Sequence, residues 1–164
     1  SDHYDPRARV LRLSPDVYQG RSLAAAGVAA HEVGHAIQHA HGYAPLAFRN
    51  SVVPIAGIGS SLSWIFIMVG IAAAGTALQI LAVIGVALFS MVVLFQVVNL
   101  PVEFNASKRA RQVLLTNGMV STQEDQEIAR VLNAAAMTYV AATITAVLTL
   151  LYYLWRSGLI GGRN

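Results

Sequence analysis

The 164-residue chain is 55% hydrophobic and only 12% charged, more apolar surface than a soluble domain of this length can bury, which excludes an ordinary water-soluble globular domain and points to a membrane protein. Its formal net charge of +3 is modest, and the basic residues sit beside apolar runs. They read as topology signals and headgroup contacts, not as a nucleic-acid surface. The chain has no cysteine, so it can form neither a disulfide framework nor a thiolate metal site, and any zinc must be held by histidine and carboxylate.

The sequence opens at Ser1 without an initiator methionine, on a polar stretch rather than a signal peptide, and a further segment upstream is expected. From Arg7 to Leu13, Arg7, Arg9 and Arg12 alternate with Ala8, Val10, Leu11 and Leu13. This imperfect period of two predicts a short, half-exposed strand, ended by Ser14-Pro15-Asp16. Such a strand could pair with an extended peptide or simply be structural.

Ser22 is suited to cap a helix and Gly42 to stop it. Between them, Ala24, Ala25, Ala26, Gly27, Ala29, Ala30 and Gly34 allow close approach by neighbouring backbone. This helix carries His31-Glu32-Val33-Gly34-His35. Residues four apart share a helical face, so His31 and His35 can grip one metal ion. Glu32 lies on the flank of that face, placed to take a proton from metal-bound water. The alternative is the polar face of an ordinary helix, against which the small, tightly spaced flanking residues argue.

No charged residue occurs between Asn50 and Val102. At about 20 residues for about 30 Å of hydrocarbon, that run is two spans and a turn, expected near 54–74 and 78–98 with Gly75-Thr76 between them. Trp64 then falls mid-span, away from an interfacial belt. A two-span hairpin returns the chain to the side it left, so Pro101 onward shares a membrane face with His31. Pro101 suits a first helical turn, and Glu103 is the first charge after the run. It is a candidate third metal ligand, since catalytic zinc takes three protein ligands and leaves one position open; otherwise it marks the membrane boundary.

His41 is the other candidate, ten residues after His31 as in metzincins, although that pattern needs a glycine where Gln38 stands. His3, Tyr4, Tyr18, Asn105 and Arg109 could donate to an oxyanion or be structural, and His39 has no assigned role. Lys108, Arg109 and Arg111, with Arg7, Arg9, Arg12, Arg21 and Arg49, load one face that the positive-inside rule makes cytoplasmic. Asn117-Gly118 breaks the helix, and Ser121 to Glu124 reads as a capping box before a third span, Val131 to Trp155. Tyr152, Tyr153 and Trp155 suit its interfacial end.

Asp2-His3-Tyr4-Asp5-Pro6, Gly27-Val28-Ala29-Ala30-His31-Glu32-Val33-Gly34-His35-Ala36-Ile37-Gln38-His39 and Leu100-Pro101-Val102-Glu103-Phe104-Asn105-Ala106-Ser107 together resemble the YugP-type neutral zinc metallopeptidases of bacteria. The resemblance covers essentially the whole chain. It implies a membrane-embedded zinc peptidase with an additional N-terminal span before Ser1. The chain is also similar, more distantly, to HtpX-type and CAAX-prenyl proteases, whose Glu-Phe-x-Ala-Asp stretch supplies the third ligand. That pattern lands on Glu103, Phe104 and Ala106 and departs at Ser107, where those relatives use an aspartate to support a ligand.

The expected fold is mostly α: an integral membrane helical protein with a zincin-like H-E-x-x-H active helix and a short β element before it. It is read as one membrane-embedded peptidase domain over 1–164. Residues 1–49 hold the strand and zinc helix, 50–100 a transmembrane hairpin, 101–130 the third-ligand helix and loop, and 131–156 a transmembrane span. The expected function is zinc-dependent, gluzincin-like endopeptidase activity, with His31, His35 and Glu103 on Zn2+ and Glu32 as general base. Expected partners are a peptide or protein substrate and the lipid bilayer. The expected location is the bacterial plasma membrane, multi-pass, with the site on the cytoplasmic side. The alternatives are an intramembrane site-2-type protease, which wants an aspartate inside a later apolar span where this chain has none, and a non-catalytic metal-binding membrane scaffold.

Overall fold

The computed structural model describes residues 2–161. Their elements run β1 (His3–Asp5), β2 (Val10–Arg12), α1 (Pro15–Tyr18), α2 (Leu23–Ala40), α3 (Ala44–Ala72), a 3-10 turn (Ala77–Gln79), α4 (Ile80–Thr116) and α5 (Thr122–Arg156). The molecule is therefore mostly helical with a small two-stranded sheet. Three of its helices are long and apolar enough to cross a membrane. The chain clusters into two compact units, one from the residues up to Ala47 together with Leu100–Tyr139, the other from Phe48–Asn99 together with the residues from Val140.

In the first unit the expected strand is shorter than its alternation suggests. Arg7 and Ala8 form a turn in which both backbone amides donate to Asp5 Oδ1, and Arg9 takes a positive φ of 56°. The chain thereby reverses and β2 pairs antiparallel with β1, Tyr4 opposite Leu11. Ser14-Pro15-Asp16 does end the strand, and Pro15 at once opens α1, where its missing N–H costs nothing.

Helix α2 has the boundaries its capping residues dictate. Ser22 Oγ accepts the Ala25 amide at 3.1 Å. At the other end Gly42, with φ +61°, allows a Schellman closure in which Tyr43 N–H reaches Gln38 O and Gly42 N–H reaches His39 O. Across from it, Ala30, Ala110, Leu114, Ile128 and Leu132 form a buried apolar cluster that unites α2, α4 and α5. A Cβ on Gly34 would lie 2.3 Å from the Ala106 carbonyl oxygen, so only glycine permits this approach of α2 to α4.

The three long helices exceed the expected spans. Helix α3 begins ten residues before 54, and α4 continues through Pro101 to Thr116. Pro101 is thus interior, not first-turn. Its ring removes one backbone donor, yet α4 runs unbroken through it. The expected turn is present at Gly75, with φ +86°, and Thr76, whose hydroxyl caps the 3-10 turn by accepting from Leu78 N–H. Helix α4 stops at Thr116 before Gly118, with φ +63°. The capping box opens α5, with Ser121 N–H donating to Glu124 Oε2 and Glu124 N–H to Ser121 Oγ.

In the second unit α3 and α4 pack closely through Gly70, where a Cβ would meet the Ala82 backbone nitrogen at 2.1 Å. Thr143 donates to the Gln96 carbonyl at 3.3 Å, and Phe89 meets Tyr153 edge-on at 5.7 Å. Large apolar side chains such as Ile58, Trp64, Met68 and Leu148 point outward, as on a lipid-facing helix surface.

Candidate metal centre

Helical spacing puts His31 and His35 on one face of α2, their rings 4.8 Å apart and nearly perpendicular. The glycine-permitted approach brings the Glu103–Ser107 turn of α4 against that face. His31 Nε2 lies 3.2 Å from Glu103 Oε2 and His35 Nε2 lies 3.7 Å from Glu103 Oε1. Among the described residues this trio forms a group able to hold a metal ion, with its three ligand atoms within 4.8 Å of one another. Two imidazoles and a carboxylate are the donor set of a His2Glu zinc site with one position left open.

The other ring nitrogens are engaged in ways that fit this use. Gln38, which is fully buried, donates its amide N–H groups to the Val102 carbonyl at 2.8 Å and Asn105 Oδ1 at 3.0 Å. Its Oε1 is therefore the atom facing His35 Nδ1, at 3.0 Å. An acceptor there selects the Nδ1–H tautomer and leaves the Nε2 lone pair toward Glu103. Ser107 Oγ stands 3.1 Å from His31 Nδ1 and can accept in the same sense. The serine that departs from the Glu-Phe-x-Ala-Asp pattern thus sits where a supporting acceptor is needed.

Glu32 is 92% buried by its neighbours, with 8% exposed, and its Oε2 accepts the Tyr4 backbone N–H at 2.9 Å. Strand β1 consequently runs beside the base candidate. The strand expected within Arg7 to Leu13 is present as β2, but the strand in contact with Glu32 is β1, around Tyr4, which that alternation does not reveal. A signal was available in Asp5-Pro6, a turn former just before that run.

His41 is not brought to the trio. It caps the end of α2, with Nδ1 3.3 Å from the Arg109 guanidinium. Arg109 also donates to Asn105 Oδ1 at 2.7 Å and lies over the Tyr43 ring. Asn105 Oδ1 is thereby turned toward donors, Tyr4 Oη is 2.9 Å from His39 Nδ1, and Tyr18 is 78% exposed. Tyr4, Asn105 and Arg109 thus have partners of their own, and Tyr18 is exposed. Sequence reasoning missed Gln38 as a support for His35. Its spacing of three from His35 on one helix face was the available signal.

A family model described as "Putative neutral zinc metallopeptidase" matches residues 1–158. The chain is similar to the "Putative membrane protease YugP" of Bacillus subtilis (strain 168), 42% identical over 153 residues that cover 93% of this chain and 67% of that protein. No solved structure matches.

Proposed function

This chain belongs to the neutral zinc metallopeptidase family, and from that premise we propose that it is a membrane zinc endopeptidase in which His31, His35 and Glu103 hold the metal and Glu32 is the general base. The observation that carries the reading is the convergence of two Nε2 atoms and one carboxylate, from helices α2 and α4, with a buried fourth side chain, Glu32, one residue from the first histidine.

Zinc bound there would supply Lewis-acid chemistry, lowering the pKa of a water and polarising a carbonyl. The protein's own residues do the rest. Gln38 and Ser107 accept at the Nδ1 positions, which leaves both Nε2 lone pairs free on the side of Glu103. Glu32, adjacent to His31 but outside the ligand trio, takes a proton from the attacking water and passes it to the leaving amine. The Tyr4 N–H holds the Glu32 carboxylate in place through its Oε2, leaving the other oxygen for that proton. Where α2 and α4 enclose Glu103, water is largely excluded, which strengthens each of these electrostatic contacts.

The basic residues of segments 1–49 and 101–130 support a cytoplasmic position for the site in a bacterial plasma membrane. Its substrate is a peptide or protein, and its surroundings the lipid bilayer. The test is purification of the full chain in detergent, with zinc content and hydrolysis of casein or peptides measured together. Stoichiometric zinc with turnover abolished by a chelator and restored by zinc is the expected result. Bound zinc without any hydrolysis would instead favour a metal-binding scaffold.

A further inference from the structure

Beside the metal centre lies a cavity of about 270 Å3, one wall of which is His31, Glu32, Glu103 and Ser107. The rest of the lining is Val28 of α2 with Leu132, Ala135, Ala136 and Tyr139 of α5. These four α5 residues fall at intervals of three, four and seven, so they form a single helix face. Leu132 and Ala136 are only 4% and 3% exposed, and Leu132 belongs to the apolar cluster with Ile128 and Leu114, which fixes this wall by packing. The two alanine methyls are what keep the space open.

Among the described residues, no lysine or arginine lines the cavity. Apart from the centre and Ser107, its polar lining is the Tyr139 side chain and Asp2, whose carboxylate accepts the Ser14 N–H at 2.7 Å and the Ser14 hydroxyl at 3.0 Å. Asp2 and Glu32, the two lining carboxylates outside the metal trio, therefore add negative charge to a pocket whose far side from the centre is mostly apolar. An acidic guest would meet like charge, whereas an aliphatic or aromatic side chain would bury its surface against α5.

We propose that this cavity is the side-chain pocket of the peptidase, accepting an apolar residue of the substrate next to the scissile bond and rejecting aspartate and glutamate. The inference rests on the peptidase reading above and names the substrate class of that same site. Ala135 and Ala136 are its specificity-determining residues.

The test uses the full zinc-loaded chain in detergent and a peptide mixture varied on both sides of the cleavage position, with products read by mass spectrometry. Cleavage beside Leu, Ile, Met or Phe should exceed that beside Asp or Glu by roughly tenfold or more in kcat/KM, the discrimination a shaped pocket supplies. Ala136→Leu fills the floor. Ala135→Leu, at an exposed position that does not threaten folding, narrows the mouth. Each should shift preference toward Ala or Gly by roughly tenfold. Binding of the same peptides to Glu32→Gln, followed by fluorescence anisotropy, should keep the wild-type order without turnover. Identical residue preferences in wild type and both variants, or a wild-type preference for acidic or basic residues, would overturn the pocket while leaving the peptidase reading intact. A zinc-loaded wild type that neither binds nor cleaves any peptide would overturn both.

Discussion

Gln38 Oε1 stands 3.0 Å from Nδ1 of His35, and the same side-chain amide donates to the Val102 carbonyl of α4. One buried residue therefore orients a candidate ligand on α2 and ties that helix to the segment that carries Glu103. Gln38→Ala should weaken zinc binding by about 10- to 100-fold, the usual cost of losing an outer partner of a ligating histidine. Competition with a chromogenic chelator measures this. An unchanged zinc affinity in a folded variant would reduce Gln38 to a packing role.

Glu32 is adjacent to His31 but lies outside the ligand trio. Glu32→Gln should therefore keep stoichiometric zinc and lower turnover by roughly 100- to 10,000-fold, the range for a lost acid-base group. Zinc analysis and peptide hydrolysis on the same preparation decide the matter. Wild-type rates in the variant would refute the general-base assignment.

Glu103 and His41 make opposite predictions as third ligand. Glu103→Ala should lose zinc and activity together, whereas His41→Ala should retain most of both, because its imidazole faces Arg109 at the end of α2. Loss of zinc from His41→Ala with retention in Glu103→Ala would reverse the assignment. Acid should also release zinc from the wild type, since imidazole and carboxylate ligands bind metal only when unprotonated and protons compete for them.

Sidedness follows from the basic residues flanking the apolar runs. The chain has no cysteine of its own, so cysteines at Tyr18, Met119 and Ala74, all at exposed positions, can be labelled selectively. The first two should react from the cytoplasmic side and the third from the other. Opposite labelling of positions 18 and 119 would separate His31 and Glu103 across the bilayer and end the shared site.

Asp2 gives a pH signature outside the spans. The Ser14 backbone N–H, aided by its hydroxyl, holds the Asp2 carboxyl below the ordinary carboxylate range. A folded-state pKa that is lowered means that its stabilisation is fully present above the ordinary value and is lost as pH falls through the lower folded one. The protection factor of the Ser14 amide, its exchange rate relative to an unstructured peptide at the same pH, should therefore fall only in that acidic window, and Asp2→Asn should remove the dependence. An equal acid response in Asp2→Asn would place its origin elsewhere.

Much of this was legible in residue order because the signals are local. The caps at Ser22, Gly42 and Ser121, the turn at Gly75 and the shared face of His31 and His35 each depend on residues within a few positions of one another, and the uncharged runs on composition along a continuous stretch. The strand around Tyr4 and the continuation of α4 through Pro101 were not, because a three-residue strand carries too little periodicity and a proline's local preference yields to the helix around it. What only the tertiary structure decided is which distant groups meet. Gly34 permits the backbone of α2 to touch Ala106, and that approach alone sets Glu103 against both histidines, Ser107 against His31 and Gln38 against the α4 backbone. Their partners lie more than sixty residues away in the chain, and proximity across such a separation is fixed by helix packing, which no local pattern encodes.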